Sequence, residues 1–209
     1  DLADAARKVT GRTVAVAPVH YAGLAVPNAA LTEFAARHGL RVVEDAAHAF
    51  PTVNEGTPVG AHGHAATVYS FYATKTMTTG EGGCLVMNDD DEARLFEKLR
   101  LQGVTRFADG SMDVDVLGGK ANLTDIAAAI GLSQLRRLDA FNERRRQLAR
   151  LYFEHFDRSL GFDLPVEEFE AGNWHMFQPL LPLARMSIDR GGFIEAMKRE
   201  GIGVGVHYP

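Results

Sequence analysis

Two hydrophobic periods alternate along this chain, and that alternation is the strongest constraint on its fold. Short apolar runs at 13–19 (TVAVAPV), 41–47 (RVVEDAA), 66–73 (ATVYSFYA) and 83–88 (GCLVMN) read as buried strands. Between them, NAALTEFAARHGL carries apolar residues at helical spacing and closes on Gly39. DEARLFEKLRLQG is acidic at its start and basic near its end, as the helix dipole favours. Strands alternating with helices predict an α/β chain built on a mostly parallel sheet with flanking helices.

The longest periodic stretch, LTDIAAAIGLSQLRRLDAFNERRRQLARLYFEHF, predicts one helix leaving a packed domain and bridging to the next, with Asn122 or Thr124 as its cap. Beyond it, WHMFQPLLPL reads as a strand interrupted by Pro179. DRGGFIEAMKREG reads as a helix opened by Asp189 and closed by Gly201, and IGVGVHYP as a last strand. Residues 1–140 are therefore expected to form a large domain, and 141–209 an incomplete small α+β domain. The abrupt start and the apolar ending read as a piece of a longer protein.

Composition excludes several function classes. The 209 residues suffice for a sizeable core, and the net charge of −5 gives no basic footprint for nucleic acid. No apolar run is long enough to span a membrane and no signal peptide opens the chain, so the expected location is cytoplasmic. The single cysteine, Cys84, agrees with a reducing compartment and reads as buried filler. His62 and His64 form a weak metal pattern with no Cys or Glu cluster to complete it, so no metal is expected.

Chemistry concentrates in two places. VVEDAAHA puts Asp45 just past a strand, with Ala47 and His48 following, at the strand end where α/β folds bind ligands. A carboxylate there suits a metal ligand, a ribose binder, a general base or a counter-ion for a ring nitrogen. Thirty residues on, Lys75 lies in a Ser/Thr/Gly-rich loop, either as a surface lysine or as a catalytic amine. An acid and a lysine on neighbouring strand ends suit pyridoxal phosphate, which pairs Asp with its pyridinium nitrogen and Lys with its aldehyde. Each pKa unit that an ionised Asp adds to the ring nitrogen is worth roughly 1.4 kcal/mol toward the protonated electron sink. Ser70 is placed to donate to the phosphate, and Ala47 is small enough to lie against a flat ring. Glu81 reads as a loop anchor, His175 as structural, and Met77, Met87 and Met176 as filler.

These blocks, VVEDAAHA, VGAHG, YSFYATKTMTTGEGG, GGKANLTDIAAAIGLSQLRRLDAFNERRRQLARLY and GIGVGVHYP, resemble the DegT/StrS-type (DegT/DnrJ) sugar aminotransferases over nearly the whole chain. The resemblance implies a partial pyridoxal phosphate-transferase (aspartate aminotransferase-like) fold and an amino transfer from an amino acid, plausibly glutamate, to a nucleotide-linked keto-sugar. It implies polysaccharide or antibiotic-sugar biosynthesis and a homodimer with shared active sites. It places the Schiff base on Lys75, the pyridinium partner at Asp45, His48 near the phenolic oxygen and Ser70 on the phosphate. Lys120 and Asn122 would reach the neighbouring subunit's cofactor, and His207 would either approach the substrate or pack at a strand end. A sugar dehydratase of the same fold is the nearest alternative, disfavoured by Lys75 where those relatives carry His. A non-catalytic relative that binds cofactor or sugar is the other. The chain departs from the family pattern at Phe50-Pro51 and at Ala121, and the family's N-terminal phosphate loop is not in it.

Overall fold

The first strands pair as their apolar runs require. In the computed structural model, which describes residues 1–204 and 206, β1 (Ala15–Val16) and β2 (Arg41–Asp45) run parallel, and β2 runs parallel to β5 (Ala66–Ser70). The fourth strand of the sheet, β6 (Gly83–Met87), is antiparallel to β5, giving the order β1-β2-β5-β6. The sheet is thus mixed, because β5 and β6 are joined by the Lys75 loop and not by a crossover helix. The predicted 13–19 run pairs regularly over only two residues. Its ladder resumes where the Asp45 amide donates to the Pro18 carbonyl at 2.9 Å and the His20 amide to the Asp45 carbonyl at 3.0 Å. Pro18 has no N–H to give, which interrupts regular pairing there.

Helix α1 (Leu2–Lys8) opens the chain, with Asp1 accepting from the Ala3 and Asp4 amides. Helix α2 (Asn28–His38) ends on Gly39 in the left-handed region (φ 64°), as the sequence predicts. Its start is capped from outside: the Ala29 amide donates to Glu55 at 3.1 Å, beside the short hairpin β3 (Val53–Asn54) and β4 (Thr57–Pro58). Leu31 and Ala35, one turn apart, pack against Val42 of β2 and seat α2 on one sheet face. Leu31 is fully buried, so truncation to Ala should cost about 2–5 kcal/mol. A second cluster, Ala46, Ala49, Val59 and Tyr69, lies under the chain that leaves β2.

Helix α3 (Asp90–Leu99) is capped by Asp89 and stops four residues earlier than expected, where Gln102 and Gly103 turn with positive φ. A hairpin follows, β7 (Val104–Arg106) and β8 (Met112–Val114), turning through an Asp-Gly pair. The single long helix expected over 123–156 is two. Thr124 caps α4 (Asp125–Leu135), the helix breaks at Arg136-Arg137, and α5 (Leu138–His155) continues. The expected domain boundary at residue 140 therefore falls inside α5.

The 174–183 strand does not form. Its only ladder contact among the described residues is a bridge from Leu180 to Asp163, and Pro179 and Pro182 withhold the amides a ladder needs. What orders this segment is α5. Phe153 sits edge-on to Phe169, Trp174 and Phe177 with ring centroids 5.2–5.7 Å apart. Arg145 donates to the Trp174 and His175 carbonyls at 3.3 and 3.0 Å. Helix α6 (Arg190–Arg199) opens at Asp189 as predicted. The expected last strand shows no pairing over residues 202–204, and its end, including His207, lies outside the described residues. No helix among the described residues is long and apolar enough to cross a membrane.

Candidate active site

Strand register decides which side chains meet. Asp45 pairs with Val68, and Ser70 is two residues further along β5, so Asp45 and Ser70 share one sheet face. Glu44 and Thr67 pair with each other on the opposite face, the α2 side. The chain turns after Ser70 into the Lys75 loop. That loop is tied down by Phe71, whose amide donates to the Gly82 carbonyl at 2.8 Å and whose own carbonyl accepts from the Thr79 amide and the Thr78 hydroxyl. Gly82 is required by close approach: a Cβ there would lie 2.4 Å from Thr79 Oγ1. Glu81 anchors the loop through its backbone carbonyl, which accepts from Thr79 Oγ1 at 2.6 Å.

Lys75 opens onto a cleft lined also by Ala47, His48, Phe50, Ser70, Thr76 and Met77. Burial pulls the Lys75 amine below its ordinary pKa, while the Asp45 charge opposes that shift. The two predicted partners therefore lie within electrostatic reach of one another. Asp45 Oδ1 accepts from the Ala47 amide at 3.0 Å, which holds Ala47 in the cleft wall. Thr76 is 7% exposed, and its hydroxyl has no hydrogen-bond partner among the described residues. A buried hydroxyl left alone costs about 1–3 kcal/mol, so it marks a position where a bound polar group would be accommodated. An amine, an opposing carboxylate and an unsatisfied hydroxyl fit the requirements of pyridoxal phosphate.

The cleft at Lys75 is narrow, whereas a wider hollow, open to solvent, lies between the 19–26 loop and the 163–180 segment. That hollow contains no lysine and its lining is mainly apolar. Converging reactive groups, and not size, identify the site.

His48 is held from three directions. Its Nδ1 accepts from the Ala22 amide at 3.3 Å, its ring stacks on His175 at 4.4 Å, and its carbonyl accepts from Asn173 Nδ2 at 2.8 Å. Asn173 is fully buried and also accepts the His175 amide at 2.9 Å. His175, expected to be merely structural, is thus a neighbour of the site. Phe50, across a cis peptide from Pro51, stands edge-on to Tyr69 and Phe71.

Lys120 and Asn122 do not line the Lys75 cleft. Lys120 is exposed and bridges to Leu101, and Asn122 Oδ1 is buried without a hydrogen-bond partner among the described residues. Both sit just ahead of α4, whose Ile126, Ile130, Leu132 and Leu135 are 45–79% exposed. Cys84, expected to be buried, is exposed on β6. His62 and His64 are engaged with the Asn54 carbonyl at 3.1 Å and Asn28 at 2.8 Å.

Sequence reasoning missed Thr76 and a buried group behind the site. His20 Nε2 lies 3.0 Å from Glu44 Oε1, and the Thr67 hydroxyl donates to Glu44 Oε2 at 2.5 Å. Burial works to raise the Glu44 carboxyl, and the hydrogen bonds from His20 and Thr67 overcome it and hold it below its ordinary value. The signal was present in the period: a charged residue at the buried parity of a strand demands a partner.

Comparison with known proteins agrees with this geometry. The profile of the DegT/DnrJ/EryC1/StrS aminotransferase family matches residues 1–209. The spore coat polysaccharide biosynthesis protein SpsC of Bacillus subtilis is 38% identical over 210 residues, covering 96% of this chain and 54% of SpsC. Helicobacter pylori PseC, an aminotransferase of pseudoaminic acid biosynthesis, superposes with a TM-score of 0.92 at 26% identity, covering all of this chain and 56% of PseC. Spr1654 of Streptococcus pneumoniae, solved in a PLP-form, gives 0.87 at 26% identity, with all of this chain and 58% of Spr1654 covered. The chain spans about half the length of the curated relatives it matches. With its whole length matched, the chain belongs to the DegT/DnrJ/EryC1/StrS aminotransferase family.

Proposed function

We propose that the protein containing this chain is a pyridoxal phosphate-dependent sugar aminotransferase, moving an amino group from an amino acid, glutamate by preference, to a nucleotide-linked keto-sugar. The observation that carries this reading is the Lys75 amine, in one cleft with Ala47, His48 and Ser70 and within reach of the Asp45 charge. When bound, pyridoxal phosphate would supply an aldehyde for amine capture and an electron sink for breaking a Cα–H bond. Lys75 Nζ would hold the aldehyde and, when free, would move the proton at the reacting carbon. Its lowered pKa increases the unprotonated fraction that this role needs. Asp45 would keep a ring nitrogen protonated through its charge, and its bond to the Ala47 amide fixes both the carboxylate and the wall beside it. Ser70 would hold the phosphate, and His48 would serve the phenolic oxygen.

Lys120 and Asn122 are assigned to the partner subunit's cofactor in a homodimer. Support comes from their distance from their own cleft and from the exposed apolar face of α4 beside them. Residues 1–140 are assigned to the large domain and 141–209 to the start of the small one, and the isolated 209-residue chain is expected to be inactive. The test mixes the full-length protein with pyridoxal phosphate, reduces with borohydride and maps the adduct by peptide mass spectrometry. Adduct on Lys75, lost in Lys75→Ala, together with glutamate-dependent amination of a keto-sugar, is expected. An equal adduct in Lys75→Ala overturns the reading.

A further inference from the structure

The buried group of His20, Glu44 and Thr67 lies behind the site and is connected to His48 through the loop that follows His20. His20 is clamped twice to the end of β2: its amide donates to the Asp45 carbonyl at 3.0 Å, and its ring meets the Glu44 carboxylate. Its other ring nitrogen, Nδ1, accepts the Val26 amide at 3.0 Å. An Nδ1 that accepts an N–H cannot carry the proton, so the proton is on Nε2 and is donated to Glu44. Thr67 supplies the second bond to that carboxylate. His20 therefore fixes both ends of the 20–26 loop, one through its own backbone and the other through Val26.

That loop carries the Ala22 amide, which it presents at positive φ (59°) to His48 Nδ1. Ala22 is an L-residue in the left-handed region, and such a conformation persists only where the surroundings impose it. The anchors on both sides of Ala22 impose it. The same acceptor logic applies to His48: with Nδ1 taken by an N–H, its ring proton resides on Nε2.

We propose that His20, Glu44 and Thr67 are positioning residues that set the tautomer and orientation of His48 through the 20–26 loop. The charged acid of this group lies on the sheet face away from the chemistry and acts through backbone, not through contact with substrate. Its significance for catalysis rests on the reading of the Lys75 cleft above, but its test does not. The readout is His48 itself, in protein without cofactor.

The experiment is ¹⁵N–¹H correlation of the histidine rings in full-length protein at about pH 8, where an ordinary imidazole is neutral. His48 is assigned by its loss in His48→Gln. Wild-type protein is expected to show His48 with Nδ1 unprotonated and Nε2 protonated. His20→Phe, which keeps a ring but removes both bonds, is expected to move the tautomer ratio about fivefold toward Nδ1–H, the effect of losing one hydrogen bond. His20→Gln, which restores a donor toward Glu44 and an acceptor for Val26, is expected to bring the wild-type signature back. Thr67→Val, the milder change, is expected to shift the same resonances in the same sense and carries the test where His20→Phe does not fold. Unchanged His48 nitrogens in folded His20→Phe, or in Thr67→Val where that variant alone folds, overturn the proposal. Failure of Lys75 to trap cofactor would sink the aminotransferase reading and leave this result standing.

Discussion

Replacing Gly23 with Ala tests how tightly the frame around His48 is built. Gly23 has φ 92°, and a Cβ there would lie 1.8 Å from Asn173 Oδ1 and 3.2 Å from the His48 carbonyl. Oδ1 must retreat by more than an ångström to reach ordinary contact. It cannot do so and still accept the His175 amide at 2.9 Å, or keep Nδ2 on the His48 carbonyl at 2.8 Å. Asn173 is fully buried, so no water replaces those bonds. Leaving one or two buried groups unpaired costs about 1–3 kcal/mol each, and an L-residue in the left-handed region costs about 1–2 kcal/mol. The stiffer unfolded chain returns roughly 0.4–1 kcal/mol. The expected loss is about 3–5 kcal/mol, a large part of a typical domain's stability. Gly39→Ala is the control: its φ is also positive, at 64°, but nothing lies within 4 Å of its Cβ. Urea unfolding of both variants, read as midpoint shifts at constant m, separates clash from backbone strain. If Gly23→Ala costs no more than Gly39→Ala, the packing described around Asn173 is wrong.

Further outcomes are expected at the cleft and the core. Asp45→Asn removes the charge that opposes burial of the Lys75 amine, so the midpoint of the Lys75 acylation rate–pH profile should fall below wild type; a rise would contradict the pairing. Thr76→Val deletes an unpartnered hydroxyl, so it should not lower cofactor-free stability but should weaken cofactor binding by about 5- to 30-fold, read by absorbance titration, with Thr76→Ser restoring it. The Tyr69 phenol is buried, donates to the Val59 carbonyl and is pushed up to about 12, so its ultraviolet ionisation should be missing at pH 11 in folded protein. Its folded pKa exceeds the unfolded value near ~10, so its contribution to stability is complete below that pH and is lost as pH rises toward about 12. Ile126→Lys on the exposed face of α4 should convert dimers to monomers in sedimentation, and an unchanged dimer would place the interface elsewhere.

Local signals were legible where one rule governed the residue. Gly39, Asp189 and Thr124 stop or cap helices as their chemistry dictates, and Ala47, His48, Ser70 and Lys75 line one cleft beyond neighbouring strand ends. Reading failed where two rules competed. The apolar run at 174–183 has strand composition, but its prolines and its packing under α5 hold it irregular. Residues 123–156 keep a helical period through Arg136-Arg137, and period alone does not reveal a break. Cys84 lies in an apolar run whose strand is exposed over Gly83, Cys84 and Leu85, on both of its faces.

Consecutive acids in β2 show why a one-dimensional motif understates a site. Glu44 and Asp45 are neighbours in sequence, but the pleat sends them to opposite faces, so they cannot serve one another directly. Asp45 is half-buried and acts on an amine by charge, which requires a field and some freedom from competing partners. Glu44 is fully enclosed and saturated by His20 and Thr67, which suits it to hold backbone in place and to no reaction at all. Exchanging the two environments would be costly on both sides: a saturated acid has less to offer the Lys75 amine, and an unsaturated one in the core is costly. The difference between the two acids follows from strand parity.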